Sequence, residues 1–97
     1  MIKHLANENY KEIIKEGIWV VDFYADWCGP CKMLGKVLEN IDANILKINV
    51  DDHEQLATIF GVMSIPTICF FHNGELKEKA IGFKSKEEIT EIIERIG

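Results

Sequence analysis

Ile18-Trp19-Val20-Val21-Asp22-Phe23-Tyr24 runs directly into Ala25-Asp26-Trp27-Cys28-Gly29-Pro30-Cys31-Lys32. The first part is an almost continuous apolar run of β-branched and aromatic residues, the pattern of a strand covered on both faces and central in a parallel sheet. The second part opens a helix expected to reach about Ala43, with Leu34, Val37, Leu38 and Ile41 on one face. Pro30 falls near its first turn, where the missing N–H costs little. Two thiols therefore sit one helical turn apart at a strand-to-helix junction. At i and i+3 positions of a helix the Cβ atoms lie about 5 to 6 Å apart, near enough for a modest adjustment to join them in a disulfide. Such a pair suits reversible disulfide chemistry.

The segments on either side supply the rest of an α/β domain. An edge strand is expected at Ile2 to Leu5, then a helix capped by Asn7, with Tyr10, Ile13 and Ile14 on its buried stripe and Gly17 at its end. After the long helix, Ile45 to Val50 forms the next strand, and a right-handed crossover makes it a βαβ unit with Ile18 to Tyr24. Asp51-Asp52 can cap a short helix through Leu56 and Phe60, stopped by Gly61. A fourth strand follows over Ile65 to Phe71, with Pro66 at its entrance, where a lost ladder donor is tolerated. His72-Asn73-Gly74-Glu75 reads as a tight hairpin, because Asn-Gly accepts the positive φ values of a type I′ turn. The fifth strand, Leu76 to Ile81, then runs antiparallel. Ser85-Lys86-Glu87-Glu88 matches a capping box for a last helix through Ile89, Ile92, Ile93 and Ile96. The order β-α-β-α-β-α-β-β-α predicts a mixed sheet of about five strands flanked by about four helices.

Ninety-seven residues, 47% of them hydrophobic and 28% charged, fit one folded domain spanning residues 1–97. A net charge of -5 disfavours nucleic-acid backbones and anionic membrane surfaces as partners. Met1 to Leu5 lacks the apolar core of a signal peptide, and no apolar run approaches membrane-spanning length, so a cytoplasmic location is expected. Three cysteines cannot staple a scaffold in even pairs, which turns the Cys-x-x-Cys toward redox or metal work. A structural zinc site wants four ligands. Beyond the pair the chain offers Cys69 and three scattered histidines, His4, His53 and His72, read as surface polar residues, so no metal is expected. Cys69, inside an apolar strand, is expected to be buried and inert. Trp19 is expected to be packing.

Val20-Val21-Asp22-Phe23-Tyr24-Ala25-Asp26-Trp27-Cys28-Gly29-Pro30-Cys31-Lys32, then Ser64-Ile65-Pro66-Thr67, then Asn73-Gly74, resembles the thioredoxin family collinearly over nearly the whole chain. Cys-x-x-Cys alone is a weak signal; Trp-Cys-Gly-Pro-Cys-Lys with both flanking signatures in order is highly specific. The chain departs from the family pattern at Tyr24, where tryptophan or phenylalanine is frequent, and at Lys36, where many members have a helix-kinking proline. Lys36 keeps a backbone N–H that proline would remove, while Gly35 weakens the helix by roughly 0.5 to 1 kcal/mol relative to alanine.

At a helix N-terminus, free N–H groups and the dipole favour a thiolate, which makes Cys28 the expected nucleophile. Cys31, one turn inside, is expected to be more shielded and to resolve the mixed disulfide. Gly29 allows close approach of a partner and Pro30 stiffens the loop, so both tune the couple. Asp22 is a carboxylate in an apolar strand, where unpaired burial raises its pKa and makes it a proton acceptor. Lys47 is its counterpart in the next strand. The resemblance implies that both lie beneath the cysteines, with Asp22 assisting deprotonation of Cys31. It also implies a cis bond before Pro66, and that the backbone of Ile65 pairs with an extended substrate segment, a mode that tolerates varied side chains. Trp27, Gly29, Pro30, Ile65 and Gly82 are expected to form an apolar docking patch around Cys28.

The expected function is disulfide reduction in proteins by a reversible Cys28–Cys31 dithiol, with no bound cofactor. The resemblance implies thioredoxin reductase as donor, with ribonucleotide reductase, peroxiredoxins and methionine sulfoxide reductases as acceptors. Two alternatives stand beside it: an oxidase or isomerase of protein disulfides, and a binding subunit without turnover. A monomer is expected, since docking accounts for the apolar patch.

Overall fold

The computed structural model describes residues 1–97. Five strands, β1 (Ile2–His4), β2 (Ile18–Tyr24), β3 (Asn44–Asn49), β4 (Thr67–His72) and β5 (Glu75–Ile81), form one sheet in the order β1-β3-β2-β4-β5. β1, β3 and β2 run parallel, β4 is antiparallel to β2, and β5 is antiparallel to β4. The helices are α1 (Tyr10–Ile13), α2 (Gly29–Glu39), α3 (Glu54–Ile59) and α4 (Lys86–Ile96). No helix is long and apolar enough to cross a membrane.

Side chains alternate across β2 and sort the core into two layers. Trp19, Val21 and Phe23 pack with Leu46, Ile48, Cys69 and Phe71 under Ile14 and the α1 and α3 side. Phe60, just past α3, is the hub of that layer, with ring centroids 5.4 Å from Tyr10, 5.6 Å from Phe23 and 5.8 Å from Phe71. Val20, Ile45, Ile68 and Phe70 pack on the other face against Leu34 and Leu38 of α2 and Ile89 and Ile92 of α4. Trp19 is buried, and its indole N–H donates to the Glu16 carbonyl at 3.2 Å.

Turn chemistry follows the sequence at two places. Asn73 and Gly74 have φ of 51° and 83°, as a type I′ hairpin requires. Asn73 also exchanges two bonds with Gly17, its backbone N–H donating to the Gly17 carbonyl and its Oδ1 accepting from the Gly17 N–H. Ser85 and Glu88 form the complete capping box of α4.

Several boundaries differ from expectation. Asn9, not Asn7, caps α1, its side chain accepting from the Lys11 N–H, and only one turn is helical before Ile14. α2 ends at Glu39 and not near Ala43, because the N–H groups of Asn40 and Ile41 turn back to carbonyls three residues earlier and tighten the last turn. His53, not Asp51 or Asp52, occupies the α3 N-cap, without a side-chain bond. Pro66 precedes β4, so no ladder donor is missing. His53 is half-buried, with a ring nitrogen 3.2 Å from the Leu5 carbonyl, and is therefore not a purely surface residue.

Candidate redox site

The topology gathers four chain segments at one end of the sheet. β2 and β3 are parallel, so the residues that follow them, Ala25 to Cys28 and Val50 to His53, emerge side by side. β4 is antiparallel to β2 with Thr67 opposite Phe23, which brings Ile65 and Pro66 to the same end. β5 adds Gly82 there, since Ile81 pairs with Thr67.

Cys28 is the N-cap of α2 and Pro30 lies in its first turn. Cys28 and Cys31 are joined in a disulfide, with Cα atoms 5.2 Å apart. The Cys28 sulfur accepts the Cys31 N–H at 3.2 Å and lies 3.9 Å from the Ile65 carbonyl oxygen. A sulfur in this position meets the unsatisfied N–H groups and positive end of the helix, which favours negative charge on it once reduced. In the disulfide both cysteines are buried, 4% and 2% exposed, so the expected contrast in shielding is slight in this form.

The Ile65–Pro66 bond is cis. Pro66 is buried, its carbonyl accepts the Gly82 N–H at 2.8 Å, and Gly82 has a φ of +88°. Ile65 is packed on the small cluster of Ala25, Cys28 and Cys31. Trp27 is 71% exposed, with Gly29 and Pro30 also exposed beside the disulfide. Its indole N–H donates to Asp51 Oδ2 at 2.9 Å, which fixes an otherwise free ring at the rim. That role for Asp51 was missed in the sequence, where Asp51 reads as a helix cap. The parallel pairing of β2 and β3 is the signal that sets these two turns side by side.

Asp22 lies on the α2 face of the sheet, in register with Lys47 on β3 and on the same face as Val20, which packs under α2. None of Asp22 is exposed. Lys47 Nζ lies 3.4 Å from Asp22 Oδ2, a charge contact without hydrogen-bond geometry, and neither carboxylate oxygen has a hydrogen-bond partner. Burial raises the Asp22 pKa to about 6, with the Lys47 charge pulling the other way. Two further residues hold Lys47. The Tyr24 ring lies beneath its ammonium at 4.6 Å from the centroid, and a Cβ placed on Gly35 would meet Nζ at 3.3 Å. In the sequence Tyr24 is only a departure from the family pattern and Gly35 only a helix weakness; their contact with Lys47 appears only once β3 is set against α2. A cleft of about 420 Å³ opens on this side, bordered by His4, Tyr24, Cys31, Gly35, Glu39 and Lys47.

Cys69, at the middle of β4, is fully buried, and burial pushes its thiol up to about 11. It has no part in the site. The three histidines do not come together: His4 borders the cleft, edge-on to Tyr24, His53 lies against the Leu5 carbonyl, and His72 ends β4.

A dithiol that closes to a disulfide at a helix mouth, beside an exposed rim, defines a thiol–disulfide oxidoreductase. The family model for thioredoxin matches residues 1–95. A thioredoxin of Staphylococcus saprophyticus is 44% identical over 100 residues, covering 97% of this chain and 96% of the relative. A thioredoxin of Bacillus subtilis is 40% identical over 96 residues, covering 93% and 92%. Among solved structures, a thioredoxin variant from Halobacterium salinarum superposes with a TM-score of 0.88 at 33% identity, covering 97% of this chain and 88% of that one. A Malassezia sympodialis thioredoxin gives 0.84 at 29%, covering 97% and 91%. The chain belongs to the thioredoxin family. The Cys28–Cys31 pair fits protein-disulfide reductase activity, with disulfide-containing proteins as substrates and a reductase as the kind of partner that restores the dithiol.

Proposed function

We propose that residues 1–97 act as one domain, a monomeric cytoplasmic protein-disulfide reductase in which Cys28 attacks and Cys31 resolves. The observation that carries this reading is the pairing of Cys28 with Cys31 across the first turn of α2, with the Ile65 carbonyl 3.9 Å from the Cys28 sulfur. The Cys28 thiolate attacks one sulfur of a substrate disulfide, forming a mixed disulfide and expelling the other sulfur as a thiolate. Cys31 then loses its proton and attacks Cys28, closing the intramolecular disulfide and releasing the second substrate thiolate. Two electrons pass to the substrate, whose thiolates take up protons.

Asp22 accepts the Cys31 proton. Its poised carboxylate on the α2 face supports that role, since a base is most useful when its pKa lies near the working pH. Lys47 holds Asp22 and borders the open cleft through which the proton can reach solvent. Gly29 and Pro30 tune the couple. An extended substrate segment pairs with the Ile65 backbone, while Trp27, Pro66 and Gly82 complete the surface that receives it. The dithiol itself carries the electrons, so no bound cofactor enters.

Thioredoxin reductase restores the dithiol, and ribonucleotide reductase, peroxiredoxins and methionine sulfoxide reductases receive its electrons. The family name of the relatives supports these partners. The buried, unpaired Cys69 suits the reducing cytoplasm. To test the division of labour, reduced Cys31→Ser protein is mixed with a disulfide-linked protein and examined by non-reducing mass spectrometry. A one-to-one adduct through Cys28 is expected. No adduct, or one that persists when Cys28→Ser is added, contradicts the assignment.

A further inference from the structure

The segment from Gly61 to Pro66 carries Ile65 to the site; Val62, Ile65 and Pro66 pack inward, but the stretch between Val62 and Ile65 does not. Met63, at its middle, is 93% exposed, and Ser64 is exposed as well. This exposed middle depends on what anchors the chain on either side of it. At the far end, Thr67 Oγ1 donates to the Ser64 carbonyl at 2.7 Å and the Gly82 N–H donates to the Pro66 carbonyl at 2.8 Å.

At the near end the chain leaves α3 through a Schellman turn. Gly61 takes a φ of +64°, its N–H donates to the Thr58 carbonyl at 3.0 Å, and the Val62 N–H donates to the Ala57 carbonyl at 2.9 Å. That leaves the carbonyls of Phe60 and Gly61 pointing outward from the negative end of the helix. Lys79 of β5 covers both, donating from Nζ to Phe60 at 2.9 Å and to Gly61 at 3.3 Å. The fold delivers it there: Lys79 pairs across β4–β5 with Cys69, and Cys69 belongs to the layer that Phe60 packs against. Lys79 has no carboxylate within ion-pair distance, so its ammonium is committed to this helix end.

We propose that Lys79 is a positioning residue for substrate binding: by bridging the Phe60 and Gly61 carbonyls it holds the chain leading to Ile65 in its docking conformation before a substrate arrives. A loop ordered in advance does not have to be ordered on binding. The proposal rests on the docking of substrate at Ile65 put forward above. Lysine is chosen at this position because one compact ammonium can serve two carbonyls, and arginine, with its several donors, can do the same.

Steady-state reduction of a disulfide-linked protein is compared with reduction of a small aromatic disulfide, which offers no strand to pair. For Lys79→Met the KM for the protein substrate is expected to rise about fivefold with kcat held within about twofold, the pattern of lost uniform binding. The KM for the small disulfide stays unchanged, and Lys79→Arg restores the protein value. An unchanged KM for the protein substrate overturns the proposal, as does an equal rise for both substrates, which a general loosening of the fold produces.

Amide exchange separates this proposal from the docking reading beneath it. In the mixed disulfide of Cys31→Ser with a substrate peptide, the Ile65 amide is expected to be protected, and less so when Lys79→Met is added. Protection that is equal with and without Lys79→Met overturns the role of Lys79 alone. Absence of protection with Lys79 intact overturns docking at Ile65, and the proposal with it.

Discussion

Asp22 is fully buried, and its nearest compensation is a single cation 3.4 Å from one oxygen. Because its folded-state pKa, about 6, stands above the ordinary 3.8, the folded protein binds an extra proton between those values. The sign follows: the neutral carboxyl is best tolerated below about pH 4, and stability falls as pH rises from there through about 6. Asp22→Asn, neutral at every pH, is expected to be more stable by about 3 kcal/mol at pH 7, with the advantage gone below about pH 4, as denaturant unfolding at the two pH values checks. Its rate of disulfide reduction is expected to fall by about tenfold or more, the scale of a lost proton acceptor. Equal stability at both pH values and an unchanged rate contradict the role. Asp22, Lys47 and the cysteine pair were legible because each breaks its local pattern, a charge in an apolar strand or two thiols at one helix start. Asp51 was not, because acidic residues after a strand are ordinary and only the Trp27 indole makes this one particular.

Elements were legible in kind and order, and less so at their ends. The apolar period runs through Ile41, but α2 stops at Glu39. Ile41 is still packed on the core beyond the helix, because the period reports burial and not backbone conformation. Ile14 does the same after α1. The short α3 begins without the expected aspartate cap because Asp51 is engaged by Trp27 and the turn closes on the Asn49 carbonyl. Within α2, Gly35 sets helix stability against room for Lys47. Gly35→Ala is expected to raise stability by about 0.5 kcal/mol, less than the full propensity gain because the new methyl presses on Nζ at 3.3 Å. Displacing Nζ from its place 3.4 Å from Asp22 also shifts the pH at which the resolving step gains speed. Thermal unfolding and a pH–rate profile check both effects; a loss of stability with an unmoved profile contradicts this account of Gly35.

At the scale of the whole molecule, one sheet order explains why distant stretches of sequence meet. The parallel pair β2 and β3 and the antiparallel β4 and β5 place the Cys28 turn, the Asp51 turn, the cis Pro66 bond and Gly82 at the same end. Sequence pattern indicated the βαβ unit and the hairpin; the support given by Lys79 to the α3–β4 segment depends on the register between β4 and β5 and could not be read from spacing. Under the proposed function this assembly makes Cys28 and Cys31 a reducing couple. The measurement that tests it most directly is the reduction potential of that couple, equilibrated against defined thiol buffers with Cys69→Ser as control. A value below about -230 mV is expected, more reducing than glutaredoxin-type couples, so that electrons flow downhill to most protein disulfides. A value near about -120 mV, the range of strong oxidants, or a pair that never closes, would contradict it.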